Sequence, residues 1–442
     1  MKRFLSLALA AAMVLSLTAC GGNTESTGSA STDGSSSVTA PADDSSAGTS
    51  DTSDTSDQVI EEIPYELGGE LTPTMIANSV LNKGDQTRLA RVIKKLQAGE
   101  GITVAYLGGS ITQGSSAGNE LCYAALTTKW LSEQFPDAII NYVNAGIGAT
   151  GSYIGVHRCD EEVLSHDPDL VFIDFSVNDT SDRIATNKST YESLIRKIWK
   201  HDTAPAIITI AMTQENGTSV QTAHHEIAEK YGIPMISYRN AILDVIDKGY
   251  IVWDDISDDD IHPNVPGHAV LTQMITNYIQ TVIDNADSID TSSDPALPEP
   301  NESGDKFENA RLLRAGDPSC ISTGVFKEME GTSFGNFANP WRARIKADDI
   351  IDIETSSLVF ELEAKNIGIL YGKLTGTAGK VNVYVDDELI KVINGDFSGG
   401  WGNYVEFAEI TSFPETGKHT LKIVPVDEDD TCQFYVSAIA VS

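Results

Sequence analysis

Cationic residues are what this chain most conspicuously lacks. Its 442 residues include 30 Lys or Arg against 64 Asp or Glu, a formal net charge of −34. Part of the deficit is local, since residues 21–57 carry seven Asp or Glu and no Lys or Arg. Such a surface excludes nucleic acid, whose phosphates need cationic partners. It also excludes docking on anionic lipid headgroups. Cysteine is scarce: beyond Cys20 there are Cys122, Cys159, Cys320 and Cys432, and their spacings match no zinc pattern. The one long apolar run stands at the N-terminus, and no later segment suffices to span a bilayer. No internal repeat is visible. What is there, 41% hydrophobic residues over this length, is enough for a sizeable core divided between two domains.

The first twenty residues read as an address. Lys2 and Arg3 form a positive n-region, "FLSLALAAAMVLSL" an apolar h-region, and "LTACGG" follows with small residues before Cys20. This resembles the lipobox of bacterial lipoproteins. The resemblance implies that Cys20 is lipidated, becomes the mature N-terminus and anchors the protein on the extracellular side of the membrane. The alternative is an ordinary cleaved signal. Residues 21–57, rich in Ser, Thr, Gly and Asp, cannot bury enough apolar surface to order themselves and read as a disordered tether.

Residues 58–284 form the next unit, in which helix and strand alternate from residue 86. "QTRLARVIKKL" reads as a helix with Asp85 as its cap. "ITVAYL", "AIINYV", "DLVFIDFSV", "APAIITIAM" and "IPMISY" read as buried strands, and amphipathic helices separate them. This pattern predicts a parallel α/β sheet covered on both faces, with functional loops at the carboxyl ends of its strands. A linker spans 285–305. From 306 to 442, short alternating segments such as "SLVFELEA" and "KVNVYVDDELIKVI", separated by Gly, Pro, Asn and Asp, predict an antiparallel β-sandwich. Cys320 and Cys432 lie in this module, and pairing and free thiols are both open.

Four short blocks carry the chemistry. After "ITVAYL" come Gly108, Gly109 and Ser110, where glycines allow a sharp turn that exposes a hydroxyl at the mouth of the sheet. On its own that is a capping serine. It gains meaning if a base and oxyanion donors occupy the other strand ends. "NAGIGATG" offers the amide of Gly146, and "SVND" the side-chain amide of Asn178. "DDDIHPN" places Asp259 three residues before His262, close enough to fix the ring's tautomer, although Asp258 and Asp260 flank it. Of the other histidines, His224 and His225 point in divergent directions on a helix, and His157 and His166 read as ordinary polar residues.

In these blocks the sequence resembles the SGNH (GDSL-type) hydrolases: "GGSIT", "NAGIG", "VND" and "DIHP" occur in that order over about residues 86–284. The resemblance implies a flavodoxin-like three-layer fold, here followed by a jelly-roll-like sandwich. It makes Ser110 the nucleophile, His262 the general base and acid, and Asp259 the third triad member. The Ser110 and Gly146 amides and the Asn178 side chain would form the oxyanion hole. Gly109 stands where the family name implies Asp, and Ser176 where many members carry Gly; both are expected to shape the substrate pocket. No metal or cofactor is needed.

Two other readings compete. Gly146, Gly148 and Gly151 match a dinucleotide-binding G-x-G-x-x-G, with Asp174 downstream, but the loop follows the second strand and Asp174 lies inside its strand. A surface lipoprotein with a β-sandwich also fits a non-catalytic glycan-binding protein. Within the hydrolase reading, a small-molecule or polysaccharide ester is the expected substrate, with deacetylation favoured and lipid esters or thioesters as alternatives. Trp253, Trp341, Trp401 and Tyr404 serve either as sugar-stacking surfaces or as core aromatics.

Overall fold

The computed structural model describes residues 63–346, 349–399, 402–426 and 432–442. Cys20, the segment 21–57 and Trp401 lie outside the described residues.

The apolar runs become strands β2 (Ile102–Gly108), β3 (Ile140–Gly146), β4 (Leu170–Asp174), β5 (Ala206–Ala211) and β6 (Met235–Ser237), all parallel to their neighbours. A three-residue strand, β1 (Val80–Asn82), adds antiparallel to β6, so the sheet is mixed and ordered β1-β6-β5-β4-β2-β3. Three residues are too few to show any periodicity, which is why the sequence does not betray β1. Alternate residues of each strand serve opposite faces. Val104, Tyr106, Leu170 and Phe172 pack on one side, under α1 (Pro73–Ser79), α2 (Thr87–Gln97), α4 (Tyr123–Gln134), α8 (Tyr238–Asp247) and α9 (Val265–Asn285). Ala105, Leu107, Val171 and Ile173 pack on the other, under α5 (Ser152–Glu162), α6 (Ile184–Trp199) and α7 (Gln221–Lys230). A short helix, α3 (Ser110–Gln113), follows β2 and stops at Gly114, whose φ of 98° suits glycine. The Asp85 carboxylate accepts the Thr87 N–H at 2.8 Å, at the start of α2.

The C-terminal chain contributes β7 (Arg311–Leu313), β8 (Cys320–Ser322), β9 (Lys327–Glu328), β10 (Ser333–Phe334), β11 (Phe337–Ala338), β12 (Trp341–Ile345), β13 (Leu358–Lys373), β14 (Lys380–Val385), β15 (Glu388–Asn394), β16 (Tyr404–Pro425) and β17 (Cys432–Val441). All pairings within named strands are antiparallel. The sandwich they form encloses a core that includes Trp341, Phe360, Ile369 and Phe434. Its other side joins the α/β unit, because Phe334, Phe337, Leu370 and Val405 share one apolar cluster with Tyr153, Ile154 and Tyr191. Residues between α9 and β7 are pinned along α6 and α2. Glu192 accepts the Asn301 N–H at 2.8 Å, Ser193 donates to the Gly304 carbonyl at 2.8 Å, and Arg91 pairs with Asp294 at 2.7 Å.

Cys122, Cys159, Cys320 and Cys432 are free thiols. Among the described residues, no helix is long and apolar enough to cross a membrane.

Candidate active site

The two glycines before Ser110 are required by close approach rather than by handedness, since Gly109 has a φ of −89°. A Cβ on Gly108 would lie 2.1 Å from Thr112 Oγ1 and 2.8 Å from the Asp174 carbonyl oxygen. A Cβ on Gly109 would lie 2.1 Å from Asn178 Oδ1. The missing side chains let α3 fold back on β2 and let Asn178 reach the backbone just before Ser110. Gly109 thus shapes the site by leaving room for Asn178. Ser176 does not: it is buried, and its hydroxyl bridges to the main chain of Met212, 2.7 Å from the nitrogen and 3.2 Å from the oxygen.

His262 reaches the sheet from the turn before α9, a helix started by Asn264, whose side chain accepts the Gly267 N–H. Its Nε2 is 2.8 Å from Ser110 Oγ, and its Nδ1 is 2.7 Å from Asp259 Oδ2. An ionised carboxylate only accepts, so Nδ1 carries the proton and Nε2 presents its lone pair to the serine. The other oxygen of Asp259 accepts the backbone N–H groups of Ile261, at 2.8 Å, and of His262, at 2.6 Å. Partial burial raises the Asp259 carboxyl. The hydrogen bonds from the His262 backbone and ring and from Ile261, with the attraction of the His262 ring when it is protonated, outweigh it and hold the group below the ordinary carboxylate range. Asp258 instead faces Asn264. Trp253 Nε1 donates to the Asp259 carbonyl at 2.7 Å, and Ser257 Oγ lies 2.8 Å from the same oxygen and 2.6 Å from the His262 carbonyl. This fixes a turn whose carboxylate is itself exposed.

The oxyanion donors expected from the sequence need one correction. The Gly146 N–H is already bound to Asn144 Oδ1 at 2.9 Å, and its Cα packs against the backbone of Thr112 and Gln113. The Gly148 N–H is likewise taken by Gln113 Oε1, at 2.9 Å. Ala149 differs: it adopts φ 58°, its amide has no acceptor among the described residues, and it lines a cavity of about 200 Å³ with Asn178. Arg183, Glu406 and Phe407 line the same cavity. Arg183 pairs with Glu406 at 3.0 Å and stacks over Phe407 at 4.7 Å. The α/β unit and the sandwich therefore share this wall.

The dinucleotide reading fails on geometry. The N-terminus of α5, where a pyrophosphate would bind, is occupied by Asp179, which accepts the Ser152 N–H at 2.8 Å. Asp174 is buried and takes a hydrogen bond from Thr112 at 3.2 Å. Asp179 also holds His224 Nε2 at 2.9 Å, and the His224 ring stacks on Tyr191 at 3.7 Å. His224 thus braces the Asn178 turn, a role that a helix-face reading misses because its partner lies 45 residues away. Among the aromatics, Trp341 is fully buried and Trp253 nearly so, so both belong to the core.

A mixed α/β sheet with a hydroxyl at the end of β2, in line with an imidazole and a carboxylate from the turn before α9, has the arrangement of a serine hydrolase. A model of the GDSL-like lipase/acylhydrolase family matches residues 106–270. Two crystal structures of a two-domain esterase (CEX) active on acetylated mannans, one co-crystallized with mannopentaose, are similar along their length. They have TM-scores of 0.73, identities of 31% and 30%, and matches covering 83% of this chain and 97% and 98% of theirs. No curated protein sequence matches. The chain belongs to the GDSL-like lipase/acylhydrolase family and is an SGNH-type carboxylic ester hydrolase.

Proposed function

We propose that the protein is a serine esterase that deacetylates polysaccharides or oligosaccharides, held on the outer face of a bacterial membrane by a lipid on Cys20. The observation that carries the substrate reading is similarity to an esterase active on acetylated mannans across both of its domains. The cavity shared by Asn178 and Phe407 supports it, because a small acyl ester alone would not engage the sandwich.

In this reading Ser110 Oγ attacks the ester carbonyl as His262 Nε2 takes its proton, and Asp259 stabilises the resulting imidazolium. The negative charge passes to the carbonyl oxygen, where the Ser110 amide, the Ala149 amide and the Asn178 side chain stabilise it. Collapse expels the sugar alkoxide, which takes the proton back from His262, and leaves an acetyl group on Ser110. Water, deprotonated by His262, then releases acetate and restores the serine. The cost is low at each step because the donors are fixed before charge develops.

The test compares acetate release from acetylated polysaccharides with hydrolysis of aryl esters of increasing acyl length. Deacetylation of polysaccharide and a preference for acetyl are expected. Activity confined to long acyl chains would favour the lipid esterase or thioesterase reading.

A further inference from the structure

The carboxyl ends of β2 and β3 share an anchor that this mechanism leaves unused. Arg158, on α5, is completely buried. One guanidinium nitrogen, Nη2, donates to the Gly108 carbonyl at 2.9 Å. The other, Nη1, donates to the Ala145 carbonyl at 2.6 Å and to Glu162 Oε2 at 2.6 Å. Gly108 stands two residues before Ser110, and Ala145 just before the strand end from which the 147–151 loop departs. One planar fork therefore ties together the two backbones that carry the nucleophile and the Ala149 amide. A buried guanidinium is costly to desolvate, and an apolar residue of similar volume would often be as stabilising, so stability alone is a weak reason for its presence.

The fork is itself held from outside the α/β unit. The second oxygen of Glu162 receives Nη2 of Arg314 at 3.2 Å, and Arg314 Nε lies 2.9 Å from Glu161. Arg314 follows β7 of the sandwich directly. Three charged side chains thus run in series from the sandwich to the strand ends beneath Ser110.

We propose that Arg158 is a positioning residue for the Ser110 turn and the 147–151 loop, and that Glu162 and Arg314 set its guanidinium, so that the sandwich helps hold the nucleophile and oxyanion donors in register. The proposal rests on the reading of Ser110 as nucleophile. Displacements of about 1 Å cost on the order of 10²-fold in rate where attack geometry is set in advance.

The test measures kcat, KM, melting temperature and the rate at which an aryl phosphonate labels Ser110, all on the full chain. Arg158→Lys keeps the charge but cannot span two carbonyls as the fork does. It should lower kcat and the labelling rate together by about 10-fold or more, with KM nearly unchanged. Arg314→Gln should lower both by about threefold, and adding it to Glu162→Gln should cost nothing beyond Glu162→Gln alone, because the residues act in series. Arg91→Gln, which breaks the separate pair with Asp294, should leave kcat unchanged. Unaltered kcat and labelling in Arg158→Lys and Arg314→Gln, with only a lower melting temperature, would overturn the proposal. If Arg158→Lys does not fold, Glu162→Gln and Arg314→Gln decide the matter by the same criterion. Failure of the underlying reading looks different: no label on Ser110 in the parent protein, or full turnover in Ser110→Ala.

Discussion

Asn178 occupies the space that a side chain on Gly109 would fill, its Oδ1 lying 2.1 Å from the position of the missing Cβ. The atoms in the way are the end of one side chain, which can rotate aside. Gly109→Ala should therefore fold but displace Asn178 from the site, cutting kcat by about 10²–10³, the usual cost of one oxyanion donor, with little change in KM. Gly108→Ala meets the Thr112 side chain and also a backbone carbonyl, that of Asp174 at 2.8 Å, which cannot rotate aside, and should chiefly lower the melting temperature. Steady-state kinetics and melting curves on both variants check the contrast. Equal stability losses with full activity would remove Asn178 from the proposed site.

Ser110→Ala and His262→Ala should each abolish nearly all esterase activity. The double variant should be scarcely worse than either alone, because the 2.8 Å pair works as a unit. Additive losses on a logarithmic scale would show that the two act separately.

Ala149 holds a left-handed backbone with a side chain, which costs an L-residue about 1–2 kcal/mol. Ala149→Gly should relieve part of that strain, raise stability by up to about 1 kcal/mol in urea titrations, and keep kcat, because the amide stays in place. A loss of stability would mean that the alanine methyl makes a packing contribution larger than the strain.

Stability should respond to acid through opposing buried groups. Burial pushes His157 and His268 each down to about 4. The unfolded chain therefore binds protons that the folded one refuses, and each histidine withdraws stability as pH falls from about 6.5 to about 4, on the order of 3 kcal/mol. Burial raises Asp174 to about 7, so this group acts in reverse, withdrawing stability as pH rises from about 4 to about 7. Asp174→Asn should therefore be more stable than the parent at pH 8 and lose stability more steeply on acidification. Parallel urea midpoints from pH 8 to pH 4 would contradict this assignment.

Lipid anchoring is tested separately: Cys20→Ser should leave the precursor unlipidated and move the protein out of the detergent phase. Unchanged partitioning would reject the anchor.

The α/β layer was legible because β2, β4, β5 and β6 are runs of buried apolar residues, and because Ser110 and Asn178 stand in short blocks after strands and His262 in one just before α9. The Asp259–His262 contact was legible for the same reason, since three residues of chain bring them together. What the sequence hid depends on hydrogen bonds, backbone conformation and burial that exist only in the folded chain. Gly146 has the right residue type, but Asn144 uses its amide. Ala149 carries the free amide without being glycine. His224 looks ordinary until Asp179 folds against it, and Trp341 looks like a binding surface until the sandwich closes over it.

The most direct test of the central claim is acetate release from an acetylated polysaccharide by the parent protein and by Ser110→Ala, followed side by side with phosphonate labelling mapped to its residue. The account predicts steady acetate release by the parent, a label on Ser110 alone, and neither in the variant. Acetate release that survives Ser110→Ala, or a label on another residue, would contradict it.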